Sequence, residues 1–284
     1  MELAAALGGQ QIEDDLKRRH PDWPARLAAW ENEIASARRG GAASDWSVVS
    51  VKNEGDNAQR YVEHPDGSLT AWGYAPTKWE SQFQGRTDLQ RITAFRLELL
   101  TDPNLPLGGP GRSPTGLFGL SEFQVDVAEP ARPDKSTRVN LLSASADFDH
   151  EPRPLDRMYD DRTGKPRLIG PVVFAIDGKD DTAWGIDAGP GRRNVARQAV
   201  FVPSTPIELP QGAILTFHLV QKHGGWNSDD NQNNNLGRFR FSVTNAETPT
   251  ADRVPRAVGD LLAIPAARRT PDQVATIFSY WRST

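Results

Sequence analysis

The chain has 284 residues, including 24 glycines, 22 prolines and no cysteine, and carries a formal charge of −4. Without cysteine there are no disulfides, thiolate metal sites or cysteine nucleophiles. The mild acidity argues against a nucleic-acid partner, which needs a basic surface, and no run of about twenty apolar residues reads as a membrane span.

The opening MELAAALGG lacks the basic and long apolar regions of a secretory signal. Residues 10–39 read as helix, with Leu27, Trp30 and Ile34 on one apolar stripe. Pro21 and Pro24 separate it from an earlier helical piece around Ile12 and Leu16. Gly40 and Gly41 suit a C-cap and linker.

From Trp46 the period changes to two. Thr93, Phe95, Leu97 and Leu99 share a face, as do Phe123, Val125 and Val127 opposite Glu122, Gln124 and Asp126. Leu215, Phe217 and Leu219 form a third inward set, with His218 outward. Phe239, Phe241 and Val243 form a fourth, opposite Arg238, Arg240 and Ser242. This alternation predicts half-buried antiparallel strands. Weaker strand candidates are WSVVSV, RYVEH, SLTAWGY, RVNLLSASA, PVVFAI and RQAVFV. About ten strands with no helical pattern between them predict a mainly β fold, a β-sandwich of the jelly-roll type. The tail returns to helix: Thr270 reads as N-cap, Pro271 as N1, and Val274, Ile277, Phe278 and Trp281 as an apolar stripe. The expected organisation is a helical extension over 1–43, a β-domain over 44–247 and a second helical extension over 248–284. The two extensions are read either as ends of neighbouring domains or as a pair that packs together.

The stretch KHGGWNSDDNQNNNLGRF, residues 222–239, joins two of these strands. It is longer than an ordinary hairpin loop. Carboxamides offer paired donors and acceptors to vicinal hydroxyls, while an indole face stacks on the C–H surface of a sugar. His223, Trp226, Asn227, Asp229, Asp230, Asn231 and Gln232 are therefore candidate sugar ligands. The bland reading is a loop whose side chains satisfy its own backbone. In WGYAPTKWESQFQG, residues 72–85, some aromatics must be core, and Trp79 is a candidate second platform. The related phrases GGPGRS and GPGRRN deliver arginine to turns. Arg192 and Arg193, with Lys179, form a local basic spot suited to carboxylate or sulfate.

AIDGKDDTAWGID, residues 175–187, offers oxygen ligands to a hard cation, though not at EF-hand spacing. A turn with Asp177 in an Asx role and Trp184 in the core is the alternative. No G-x-S-x-G elbow, P-loop, HExxH or dinucleotide fingerprint stands in proper context, and the five histidines form no metal cluster. A glycosidase-type carboxylate pair needs only spatial proximity, so a hydrolase stays open at this point.

Several long phrases resemble the middle of large planctomycete cytochrome c-like multidomain proteins. They are ITAFRLELLTDPNLPLGGPGRS, GLFGLSEFQV, FAIDGKDDTAWGIDAGPGRRN, LTFHLVQKHGGWNSDDNQNNNLGRFRFSVT and IPAARRTPDQVATIFSYWRST. The resemblance implies that two planctomycete-specific domains of unknown function flank this chain and that Met1 is an expression start. It also implies a signal peptide upstream and a periplasmic or cell-surface location. No C-x-x-C-H occurs, so no haem is expected in this chain. The central region is similar to the galactose-binding, discoidin-type jelly roll. That similarity implies a structural Ca²⁺ held at Ala175, Asp177, Asp180 and Thr182, with Lys179 departing from the usual pattern. It also implies sugar-binding loops gathered at one end of the sandwich.

The expected function is a noncatalytic carbohydrate-binding module for a polysaccharide, with a bias to acidic or sulfated polymers. Its partners would be the polysaccharide and the neighbouring domains. A domain that only docks the neighbouring cytochrome or unknown domains is the first alternative, and a polysaccharide lyase or hydrolase the second.

Overall fold

The computed structural model describes residues 13–40, 45–55, 59–189, 192–227 and 231–282. Ile12 and Gly41 lie outside them. Residues 41–253 form one compact unit, and the two ends of the chain together form another.

The larger unit is mainly β and its principal sheets are antiparallel. One sheet contains β1 (Ser47–Val49), β3 (Arg60–Glu63), β4 (Leu69–Trp72), β7 (Ala94–Leu100), β10 (Leu141–Ala146), β14 (Arg197–Pro203) and β17 (Arg238–Thr244). Its order is β10-β14-β7-β17-β4-β3, with β1 also on β17. The second contains β2 (Val51–Asn53), β5 (Trp79–Thr87), β8 (Glu122–Ala128), β9 (Thr137–Arg138) and β16 (Ala213–Gln221), in the order β2-β5-β16-β8-β9. Short ladders join β6 (Arg91–Ile92) to β15 (Ile207–Glu208), and β11 (Arg153–Pro154) to β12 (Leu168–Gly170). β12 runs parallel to β13 (Thr182–Trp184).

The alternation explains how the sheets meet. Phe95, Leu97, Leu99, Phe239, Phe241 and Val243 of the first sheet share one core with Phe83, Phe123, Val125, Leu215, Phe217 and Leu219 of the second. Phe123 stacks on Phe201 with ring centroids 4.1 Å apart. Each buried phenylalanine contributes about 1.5–3 kcal/mol by leaving water.

Three residue groups depart from simple alternation. PVVFAI is a 3₁₀-helix over Val172–Ile176 rather than a strand. At three residues per turn Val172 and Ala175 fall on one buried side, while Val173 is exposed. Glu122 and His218 point outward from their strands yet are buried, each covered by polar neighbours. Val127 is only half-buried.

In the terminal unit, a helical stretch over 13–19 ends before Pro21, and α1 (Trp23–Gly40) begins beside Pro24. α2 (Arg256–Leu262) and α3 (Pro271–Trp281) follow near the other end of the chain. Leu27 packs with Ile277 and Phe278, and Ile34 with Val254 and Val258. Arg269 forks onto Glu31 at 2.8 and 2.9 Å. Thr270 and Gln273 cap α3 reciprocally, while Val274 stays exposed.

Candidate functional site

The polar loop between β16 and β17 divides into a buried half and an outer half. Asn233, Asn234 and Asn235 are buried, as is His223. The Asn235 side-chain amide donates to the Pro76 carbonyl at 2.7 Å, and its backbone carbonyl accepts from Arg112 N at 2.8 Å. The Asn234 carbonyl accepts from Gly119 N at 2.8 Å. Adjacent loops thus satisfy their buried backbone groups with this asparagine run. A Cβ on Gly224 would collide with the Thr77 carbonyl, so only glycine lets the two loops touch there.

His223 is a structural member of this network. Its Nδ1 meets Ser121 Oγ at 3.1 Å and its Nε2 meets the Leu168 carbonyl at 3.0 Å. Burial, aided by the Arg167 charge, lowers its pKa to about 4. Gln232 also braces the loop: its side-chain oxygen accepts from Asn227 N at 3.1 Å and its carbonyl from Gly225 N at 2.7 Å. Asn231 is exposed, with φ +54°. Asp229 and Asp230 lie outside the described residues.

Trp226 is 48% exposed and carries a partner that sequence reasoning did not name. The guanidinium of Arg162 lies 3.3 Å from the centre of its ring. A built scaffold holds the two together. Trp226 N donates to the Asp160 carbonyl at 3.1 Å, and Arg162 N donates to Asp160 Oδ1 at 3.0 Å. Arg167 donates to the carbonyls of Tyr159, Lys222 (3.0 Å) and Gly224 (2.8 Å), tying the Trp226 loop to the Arg162 turn. Lys78 donates to Asp161 Oδ2 at 2.7 Å. Burial alone would raise the Asp161 pKa, but hydrogen bonds from Lys78 and Thr163 and the Arg167 charge hold it well below the usual carboxylate range.

The aromatic stretch resolves differently from its sequence reading. Phe83 is core and Trp79 is only partly exposed, on the inward side of β5. The exposed rings are Trp72 at 47% and Tyr74 at 56%. Leu69 and Ala71 point inward from β4, so Trp72 points out, a phase already present in SLTAWGY. Arg60 lies over the Trp72 ring at 5.3 Å. Arg112 is a strut, not a surface ligand: it donates to Gln59 Oε1 (2.8 Å) and to the carbonyls of Gly73 (2.6 Å) and Tyr74 (3.2 Å). Through Arg112 and Asn235, the loop that carries Tyr74 is joined to the loop that carries Trp226.

The expected basic spot is partly neutralised. Arg193 bonds Asp187 through Nε at 2.6 Å and Nη2 at 3.3 Å, and Arg153 reaches the same carboxylate at 2.7 Å. Against the upward push of burial, these contacts and the Gly189 N–H bring the Asp187 pKa down to about 2. Arg192 is exposed.

In the acidic loop, Asp177 accepts the Thr182 hydroxyl on both oxygens, at 3.0 and 2.9 Å, and Lys179 N at 3.0 Å. That is the Asx turn named as the alternative, and Trp184 is core. Ala175 is buried and Asp180 exposed. Among the described residues no group of three His, Asp or Glu side chains is placed to hold a metal. A cation here would rest mainly on backbone carbonyls, with Asp177 released from Thr182. Glu122 faces the same turn, accepting from Gly178 N at 2.6 Å and Lys179 N at 3.1 Å. Burial, opposed by those bonds and reinforced by the Asp177 and Asp180 charges, raises its pKa to about 7.

Comparison with protein-family models, curated proteins and solved structures gives no significant match. Among the described residues no helix is long and apolar enough to cross a membrane.

Proposed function

We propose that the β-domain is a noncatalytic carbohydrate-binding module, a jelly-roll sandwich of galactose-binding type that grips a polysaccharide at one cluster of loops. The observation that carries this reading is the placement of exposed aromatics. Trp72, Tyr74 and Trp226 are the exposed aromatic residues of the described β-domain. All three sit on or beside loops that Arg112, Arg167 and Asn235 fasten to one another. Large exposed rings on a braced loop mark a binding surface better than they serve stability. An indole or phenol face stacks on the C–H side of a pyranose, and flanking amides and arginines take its hydroxyls.

The wider setting belongs to the same proposal: a periplasmic or cell-surface, cytochrome-linked protein in which this domain holds the polymer. The reading needs no structural Ca²⁺ at the Ala175–Thr182 turn, where Asp177 already accepts from the Thr182 hydroxyl and the Lys179 N–H. Affinity electrophoresis of the chain against a panel of plant and algal polysaccharides tests the function. Retardation by at least one polymer is expected, weakened in Trp226→Ala and Trp72→Ala. Migration unaffected by every polymer overturns the reading.

A further inference from the structure

Three arginines serve the Trp226 region, and two of them share one job. Arg112 and Arg167 direct their N–H groups at backbone carbonyls and fasten loops together. Arg162 does neither. Among the described residues its exposed guanidinium makes one contact, the 3.3 Å stack on Trp226. Stacking uses the flat face of a guanidinium and leaves its in-plane N–H edge free for a bidentate anion. The backbone goes to some trouble to present it. Arg162 holds φ +60°, the left-handed region that an L side chain disfavours, with its N–H fixed by Asp160. Asp161 beside it is turned away and neutralised by Lys78 and Arg167. Among the described residues no carboxylate forms an ion pair with the Arg162 guanidinium, and Asp160 accepts from its backbone N–H instead.

From this geometry we infer that Trp226 and Arg162 form one subsite for an anionic sugar, in which Arg162 covers one face of the indole and turns its N–H edge to a ring carboxylate or sulfate, while the part of the indole left exposed takes the C–H surface of the sugar. The inference rests on the carbohydrate-binding reading and names its ligand class. It moves anion recognition from Arg193, whose guanidinium is held by Asp187, to a residue distant in sequence from the polar loop. Preference for acid comes from a charge placed beside the stacking surface, so both parts of the ligand are read at one position.

The test is calorimetric titration of the chain with an oligogalacturonate, its methyl ester and a sulfated galactan oligomer of like length. The chain is compared with Arg162→Gly, Arg162→Lys and Trp226→Ala. Glycine accepts the left-handed backbone, so Arg162→Gly tests the side chain in a fold that stays intact, checked by its melting curve. The wild type is expected to bind an acidic or sulfated oligomer more tightly than the ester. Arg162→Gly should weaken that binding about ten- to a hundredfold, in keeping with loss of charge-assisted hydrogen bonds, and abolish the preference for acid over ester. Arg162→Lys should fall between. The carboxylate and sulfate arms show which anion the subsite takes. Equal wild-type affinity for acid and ester, or an Arg162→Gly variant that binds the anion normally while Trp226→Ala does not, overturns the subsite and leaves the carbohydrate reading standing. Binding to none of the three oligomers, with no polymer retarded in electrophoresis, overturns both.

Discussion

Phe217 and Phe241 lie face to face, their ring centroids 4.2 Å apart and their planes within 6°. One belongs to β16 and the other to β17, so this stack joins the two sheets on either side of the polar loop. Both rings are fully buried. Truncating Phe241 removes apolar contact from both sheets and leaves a cavity that close packing cannot refill. Phe241→Ala should cost about 3–5 kcal/mol in denaturant unfolding. A loss below about 1 kcal/mol would mean that the sheets do not depend on this contact.

The strands that make this stack were legible because the side-chain period of a strand is two, and Leu215, Phe217 and Leu219 or Phe239, Phe241 and Val243 keep it without a break. PVVFAI was misread because Val172, Val173 and Ile176 also fit a strand, and only the i, i+3 burial of Val172 and Ala175 separates the two. The polar loop reads in sequence either as a sugar-binding rim or as a loop that satisfies its own backbone, and neither reading places Asn233 to Asn235 inside, where they are. Their partners, Pro76, Arg112 and Gly119, come from distant loops, and no local pattern announces them. Arg162 is hidden for the same reason: its contact with Trp226 joins two loops far apart in sequence. Trp72 was within reach, since its outward phase follows from the strand alone.

Glu122 gives the fold a pH dependence with a definite sign. Its folded pKa of about 7 lies above the ordinary 4.5, so the folded state holds a proton that the unfolded state releases. The stability this confers is fully present below 4.5 and is lost as pH rises through 7. Glu122→Gln keeps an acceptor for the Gly178 and Lys179 N–H groups and carries no charge. The variant should gain about 1–3 kcal/mol on the wild type between pH 5 and pH 8. Chemical denaturation at both pH values checks this, and a difference that does not change with pH would refute it.

His223 acts with the opposite sign. Its pKa of about 4 lies below the ordinary 6.5, so its contribution is full above 6.5 and declines as pH falls toward 4. The loss amounts to about 3 kcal/mol at most. A proton-observed titration of the imidazole should show a neutral ring down to about pH 4. A midpoint near the ordinary value would place the ring in water, against its contacts with Ser121 and Leu168.

The Asp177 turn decides between a cation and a hydroxyl. Asp177 is satisfied by Thr182 and Lys179 N, so calorimetric melting should be the same in EDTA as in millimolar Ca²⁺. Thr182→Val, which removes the hydroxyl and keeps the shape, should cost about 1–2 kcal/mol. A melting temperature that rises with Ca²⁺ and falls with EDTA would instead assign the turn to a structural cation.

Arg193 separates the two accounts of anion binding. Its guanidinium is held in two hydrogen bonds by Asp187, whose pKa of about 2 keeps the pair intact through the neutral range. The pair offsets the Arg193 charge and occupies its Nε–Nη2 edge, so an anionic ligand on the remaining N–H groups would lie beside the Asp187 carboxylate and gain little. Arg193→Gln should therefore leave affinity for an acidic oligomer within about twofold, while Arg162→Gly does not. Arg153 still neutralises Asp187 in the variant, so the stability loss should stay at or below about 1 kcal/mol. Calorimetric titration of both variants side by side reads the difference. Loss of binding in Arg193→Gln with normal binding in Arg162→Gly would return anion recognition to the glycine-rich turn.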